Sequence, residues 1–269
     1  MLSSSAITRG SSPVQGSLWG RRAPDWLKIQ EPQSRALYNI VLKALAPTRD
    51  AALLDVGCGA GLFCELATLN GTSVMGLDAS NNLLDLARQR TLRATFFEGE
   101  METLPFVEKT FDFVTVLNSL QHATTPLAVL NEARRVLQPG GRVAIAAWAR
   151  PEQCQVANYF RALDELLPIE SANTPAAFSF SSDGVISKLV ARAGFAKLLE
   201  TQALTIWDYP DEETALRGLL SFGVAARAID CAGEDRVLEA AKKFLAPYRL
   251  PRGGYRLENA FRYLIARRA

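Results

Sequence analysis

The stretch Leu53-Leu54-Asp55-Val56-Gly57-Cys58-Gly59-Ala60-Gly61 decides the fold. A short apolar run suits a buried parallel strand. It breaks into glycines, and an apolar-periodic segment opens behind them. Glycine lacks a Cβ, so backbone and ligand can approach closely and unusual φ/ψ values are open. The helix that follows offers free N–H groups and a partial positive charge at its N-terminus. Gly57, Gly59 and Gly61 read GxGxG, with Leu62 where a dinucleotide-binding GxGxxG loop has its last glycine.

Outward from this turn, strand and helix signals alternate. Strands are predicted at Ala51–Val56, Ser73–Leu77, Ala94–Phe97, Phe111–Leu117 and Arg142–Trp148. Helices are predicted over Gly61–Leu69, from Ser80 to about Arg90, and over Pro126–Leu137 before Pro139-Gly140-Gly141. Such alternation implies an α/β fold, a parallel sheet with helices on both faces. Ligands of such sheets sit beyond the C-terminal ends of the strands. Before the sheet, Leu37, Ile40, Val41, Leu42 and Leu45 make an apolar helical stripe that Pro47 ends. After it, helical patterns occupy about 152–167, 183–193, 211–229 and 234–246. A strand is expected near Ala203–Trp207, and Tyr255–Ala266 reads as extended.

Four pieces fall at strand ends. Asp55 closes the first strand. Asp78 ends the second, about 20 residues past Gly57, where an acid suits a bidentate contact to ribose hydroxyls; a helix N-cap is the competing role, and Ser80 competes for it. Glu98-Gly99-Glu100-Met101-Glu102 follows the third strand, as an acceptor for an exocyclic amine or as a solvated loop. Leu117-Asn118-Ser119-Leu120-Gln121-His122 follows the fourth, where a reacting group belongs.

These pieces, with Arg135-Val136-Leu137-Gln138-Pro139-Gly140-Gly141, resemble the class I S-adenosylmethionine (SAM)-dependent methyltransferases. The similarity is to the group that includes ubiquinone and menaquinone C-methyltransferases and covers about residues 50–150. It implies a Rossmann-like, mostly parallel seven-stranded sheet with N- and C-terminal helical lid elements. It implies SAM as cofactor and S-adenosylhomocysteine as product. Gly57, Cys58 and Gly59 would line the methionine part, with Asp55 supporting the loop and the amino group. Asp78 would hold the ribose and Ala79 would pack beside the adenosine. Glu100 and the backbone N–H of Met101 would face adenine, and the Asn118 carbonyl would meet the ammonium. The family usually has Asp where Glu100 stands.

His122, the only histidine, is a candidate general base, with a packed or solvent-facing ring as the alternative. Aromatics cluster in the flanks, among them Trp19, Trp26, Tyr38, Trp148, Trp207 and Phe222. They suit an apolar or aromatic small-molecule acceptor, or an ordinary core. Trp26, outside the sheet, is the candidate lid residue against the cofactor.

Residues 1–18, rich in Ser and Gly, are expected to be disordered, and 19–269 to form one domain. Its core spans 48–150, and 151–269 completes the sheet and carries the substrate pocket. A net charge of +2 provides no field for nucleic acid or an anionic membrane. No apolar run is long enough to span a bilayer, and no secretory signal is visible, so a cytoplasmic home is expected. Cys58, Cys64, Cys154 and Cys231 form no CxxC pair and read as reduced, buried thiols, with no metal expected. The fourth-strand motif lacks the Pro-Pro-aromatic of DNA amino-methyltransferases. Two alternatives stay open: a SAM-binding protein without methyl transfer, and a nicotinamide-dependent oxidoreductase.

Overall fold

The computed structural model describes residues 10–168 and 177–269. The chain begins with α1 (Ser12–Gly20) and α2 (Ala23–Asp25). A π-helical turn (Trp26–Gln30) and a 3-10 turn (Glu31–Ser34) then lead into α3 (Arg35–Leu45). The first half of the sheet follows as β1 (Ala52–Val56), α4 (Leu62–Thr68), β2 (Ser73–Asp78), α5 (Asn81–Arg90) and β3 (Ala94–Glu98). The second half runs β4 (Phe111–Leu117), α6 (Pro126–Val136) and β5 (Leu137–Trp148). Then come α7 (Ala157–Asp164), α8 (Val185–Arg192) and the long β6 (Phe195–Tyr209). Helices α9 (Glu212–Leu220), α10 (Gly223–Ala232) and α11 (Glu234–Leu245) precede the closing β7 (Tyr255–Arg268).

The seven strands form one sheet in the order β3-β2-β1-β4-β5-β7-β6. The first five pair in parallel; β7 pairs antiparallel with both β5 and β6. The order reverses between β1 and β4, which is the switch point where such sheets bind ligands. Alternate residues of a strand face opposite sides. Leu53 therefore joins one core with α3, α4 and α5, while Leu54 and Val56 join a second core with α6 and α8. Helices α7, α9, α10 and α11 extend the first core.

The local chemistry explains most boundaries. Helix α3 buries Leu37, Tyr38, Val41, Leu42 and Leu45, a stripe at helical spacing, and ends where Ala46 turns left-handed before Pro47. The expected stripe contained Ile40, but Ile40 is exposed, and Tyr38 takes the buried place one turn before Leu42. Ser80 caps α5, accepting from the Leu83 N–H at 3.4 Å. Strand β5 starts five residues before the expected Arg142, because Leu137 already pairs with Phe111 and the register shifts there, with Gly140 at φ +78°. The single helix expected over 211–229 is broken at Phe222, whose extended backbone (ψ 142°) separates α9 from α10.

Two expectations for the flanks need correction. Residues 12–20 are helical, with Pro13 in the first turn where its missing N–H costs nothing. Disorder over 1–18 therefore fails for that helix; residues 1–9 lie outside the described residues. Cys231 is exposed, while Cys58, Cys64 and Cys154 are buried. Among the described residues, no helix is long and apolar enough to cross a membrane.

Leu53, with no exposed surface, pairs with Val74 on one side and Phe113 on the other. Leu53→Ala is expected to lose about 2–5 kcal/mol of stability in urea denaturation. A loss under about 1 kcal/mol would show that β1 is not central to the core.

Candidate active site

A cleft of about 1110 Å³, including its mouth, opens at the switch point. The loops after β1 and β4 meet there. The Ser119 hydroxyl donates to the Val56 carbonyl at 2.7 Å and ties the two strand ends together. Gly57 has φ +78°, and a Cβ on it would stand 2.3 Å from the Cβ of Ser119. Only glycine fits both the conformation and the space.

Asp78 sits at the end of β2. Its Oδ2 accepts the Gly59 N–H and its Oδ1 the Ser80 N–H, both at 2.9 Å. Burial pushes its carboxyl up, and those amides oppose the shift. Since Ser80 caps α5, the side chain of Asp78 is left to brace the glycine loop and face the cleft.

The loop after β3 is clamped from beneath. Glu132 Oε2 accepts the Leu104 N–H at 2.7 Å, and Arg135 donates to the carbonyls of Leu104 and Phe106. Glu100 then points back to the N-terminal segment. Its Oε2 accepts the Ser12 N–H at 2.7 Å, and its Oε1 accepts the Glu102 N–H at 3.0 Å and the Ser11 hydroxyl at 3.4 Å. The side chain expected to face an exocyclic amine is thus engaged in holding the start of α1.

Asn118 adopts a left-handed backbone at φ 55°, uncommon outside glycine but tolerated by Asn. Its carbonyl accepts from Gln121 Nε2 at 2.8 Å. His122 stacks edge-on against Trp19, ring centres 5.2 Å apart. Burial lowers its pKa to about 4, so the imidazole is neutral at physiological pH. The rest of the wall is aromatic. Trp19 meets Trp26 at 4.9 Å and Phe222 at 6.1 Å, Phe222 meets Trp207 at 6.0 Å, and Trp207 meets Trp148 at 5.8 Å.

Ten of the eleven expected site residues line this cleft: Trp26, Gly57, Cys58, Gly59, Asp78, Ala79, Glu100, Met101, Asn118 and His122. Asp55 does not. It lies behind the glycine loop, where Thr115 donates to its Oδ1 at 2.6 Å and Cys64 to its Oδ2 at 3.6 Å. Burial raises its pKa to about 7. Several lining residues are not marked as site residues by the sequence, Glu31 among them: it sits in no telling spacing, and tertiary packing alone brings it to the loop.

Among the described residues, four buried polar atoms on the cleft wall have no partner: Trp26 Nε1, Asn118 Oδ1, Gln121 Oε1 and Trp207 Nε1. Buried polar groups are normally paired. A cleft with glycines at one end, an acid at the end of β2 and unpaired donors and acceptors on its wall fits a nucleoside bearing a polar tail.

Comparison with known proteins agrees. Residues 54–145 match the family model described as a methyltransferase domain. That segment, about a third of the chain, is similar to a methyltransferase domain. The chain is 31% identical over 119 residues to a demethylmenaquinone methyltransferase of Renibacterium salmoninarum, covering 44% of this chain and 50% of that one. It is 28% identical over 205 residues to a malonyl-[acyl-carrier protein] O-methyltransferase of Erwinia pyrifoliae, covering 76% and 74%. The match thus spans half the first relative's length and about three quarters of the second's. Among solved structures, one titled a putative methyltransferase of Bacillus halodurans superposes with a TM-score of 0.60 at 16% identity, covering 86% of this chain and 98% of that chain. The fold is that of the class I methyltransferases, with a seven-stranded sheet as expected. These relatives favour the methyltransferase domain over the nicotinamide alternative.

Asp55 gives this domain a pH signature. A carboxyl whose pKa is about 7 in the folded state and near 3.8 otherwise holds a proton on folding. Between those values the native state binds more protons than the unfolded state, so this contribution to stability falls as pH rises from about 4 to about 7. Asp55→Asn removes it. The stability of the variant relative to wild type is expected to rise between pH 5 and pH 8, on the order of 2–3 kcal/mol. Parallel pH curves for the two proteins would refute the assignment.

Proposed function

We propose that the protein transfers a methyl group by in-line displacement from SAM to a small apolar or aromatic acceptor. The observation that carries this reading is the division of one cleft into two halves. Gly57, Gly59, Asp78 and Met101 make a polar half, and Trp19, Trp148, Trp207 and Phe222 make an aromatic half. Both halves open into the same cleft, so a ligand in one lies against a ligand in the other. SAM supplies a methyl group already activated by its sulfonium charge.

In this reading Gly57, Cys58 and Gly59 cradle the methionyl part, and Asp78 takes the ribose hydroxyls. Ala79 and the Met101 N–H serve the adenosine, and the Asn118 carbonyl keeps a second lone pair for an ammonium. Glu100 contributes by keeping α1 over this half. The aromatic wall excludes water and fixes the acceptor, and its π faces favour a neighbouring cation. Orientation of this kind reaches effective molarities of about 10⁵ M or more, so catalysis needs no strong base. His122 is neutral and serves as a hydrogen-bond acceptor or weak base for an acceptor hydroxyl or amine, with Gln121 Nε2 at 3.5 Å from its Nε2. The acceptor is a small molecule rather than nucleic acid, supported by the near-neutral charge. A cytoplasmic location accords with three thiols packed as small buried apolar groups.

Calorimetry tests the polar half first. SAM and S-adenosylhomocysteine are expected to bind, and Asp78→Ala to weaken both by about tenfold or more. Absence of binding to wild-type protein would remove the proposal. His122→Ala is expected to reduce kcat by roughly 10–100-fold with S-adenosylhomocysteine affinity within about twofold. Unchanged turnover would take His122 out of the reaction.

A further inference from the structure

The polar half of the cleft contains a carboxylate that no motif announces. Glu31 is 1% exposed and starts the 3-10 turn that leads into α3. Arg90, at the end of α5, is its ion-pair partner and also donates to the Ala60 carbonyl at 2.7 Å. The Leu62 N–H reaches Glu31 Oε1 only at 3.4 Å, a long and weak bond. A Cβ built on Gly59 would lie 3.3 Å from Glu31 Oε1 and 3.4 Å from Trp26 Nε1. A carboxylate oxygen and an indole N–H thus stand side by side directly against the glycine loop.

Their local origin is visible in the backbone. A π-helical turn carrying Trp26 runs straight into the 3-10 turn carrying Glu31. The wide turn followed by the tight one displaces both side chains from regular helical positions, a device common at functional sites. The segment is pinned from behind: Tyr209 donates to Gln30 Oε1 at 2.8 Å, and Arg217 pairs with Asp25. Among the described residues Trp26 Nε1 has no hydrogen-bond partner, although leaving a buried donor unpaired costs about 1–3 kcal/mol.

We infer that Glu31 and Trp26 form the receptor for the α-amino-acid end of SAM, with Glu31 Oε1 accepting from the ammonium and Trp26 Nε1 donating to the carboxylate. This rests on the reading of the cleft as a SAM site. An α-amino acid presents a donor cation and an acceptor anion on one carbon, and it needs an acceptor and a donor side by side. Adenine and ribose offer no such charged pair. Arg90 already neutralises Glu31, so the corner as a whole favours a zwitterion over a lone cation or a lone anion. Arg90 is a positioning residue that keeps Glu31 aimed at the loop. The role assigned by resemblance to Asp55 at the amino group passes to Glu31, because the Asp55 carboxylate is bonded to Thr115 and Cys64 behind the loop.

The test is calorimetry with three probes on the full chain, with the Tm of each variant recorded. S-Adenosylhomocysteine has the whole amino-acid end, its decarboxylated analogue has the ammonium alone, and 5′-methylthioadenosine has neither. Glu31→Gln is expected to weaken S-adenosylhomocysteine by about 10–100-fold and 5′-methylthioadenosine by less than about twofold. Trp26→Phe keeps the ring packing and removes the N–H. It is expected to weaken S-adenosylhomocysteine several-fold and leave the decarboxylated analogue unchanged. Equal losses across the probes, or no loss in either variant, overturn the receptor. Should Glu31→Gln fail to fold with Arg90 unpaired, Trp26→Phe decides by the same comparison. Wild-type protein that binds none of the three probes overturns the SAM reading itself and the receptor with it.

Discussion

The hydrogen bond from Ser119 to the Val56 carbonyl holds together two strand ends that the chain order drives apart. Strand β1 continues outward to β2, and β4 outward to β5, so the helices that follow β1 and β4, α4 and α6, pack on opposite faces and leave a gap between the two strand ends. Ser119 closes the floor of that gap, and the missing Cβ of Gly57 leaves room for it. The glycine loop is braced from β2 by Asp78, and the loop after β3 is held by Glu132 and Arg135 of α6. The two sheet cores make these strand ends rigid, which lets short loops keep a defined shape.

Upon this frame the cleft divides by chemistry. Backbone amides, glycines and carboxylates collect at the ends of β1 and β2. Aromatic rings collect where α1, α10, β5 and β6 converge. A polar cofactor and an apolar acceptor thereby find separate surfaces in one cavity. His122 and Gln121 stand where the two surfaces meet, and burial keeps the imidazole uncharged.

The sheet was legible from the chain because its central strands are apolar on both faces and end in glycine or an acid. The spacing from Gly57 to Asp78 similarly exposed the cofactor half, since both residues belong to consecutive β-α units. Where the reading slipped, distant contacts were responsible. Ile40 and Tyr38 are both apolar enough to fit a stripe, but Tyr38 keeps helical spacing with Val41, Leu42 and Leu45 and packs on Phe63, ring centres 5.7 Å apart. The helix at Ser12–Gly20 has the composition of a loose terminus and is ordered by Glu100, Ala79 and Phe222. Glu31 follows no sequence spacing, because its partner Arg90 lies 59 residues away.

Helix α1 touches both halves of the cavity. Its start is fastened to Glu100 beside the polar half, and Trp19 near its end forms part of the aromatic wall. Beyond it, Arg21 and Arg22 pair with Asp230 and Glu234 on α10 and α11, at sites where water weakens each ion pair. One short cover therefore serves two compartments. A molecule that enters by lifting it uncovers both compartments together, and one that stays behind and presses it closed detains whatever lies in the other. Nine residues of helix thus make a single wall common to both compartments.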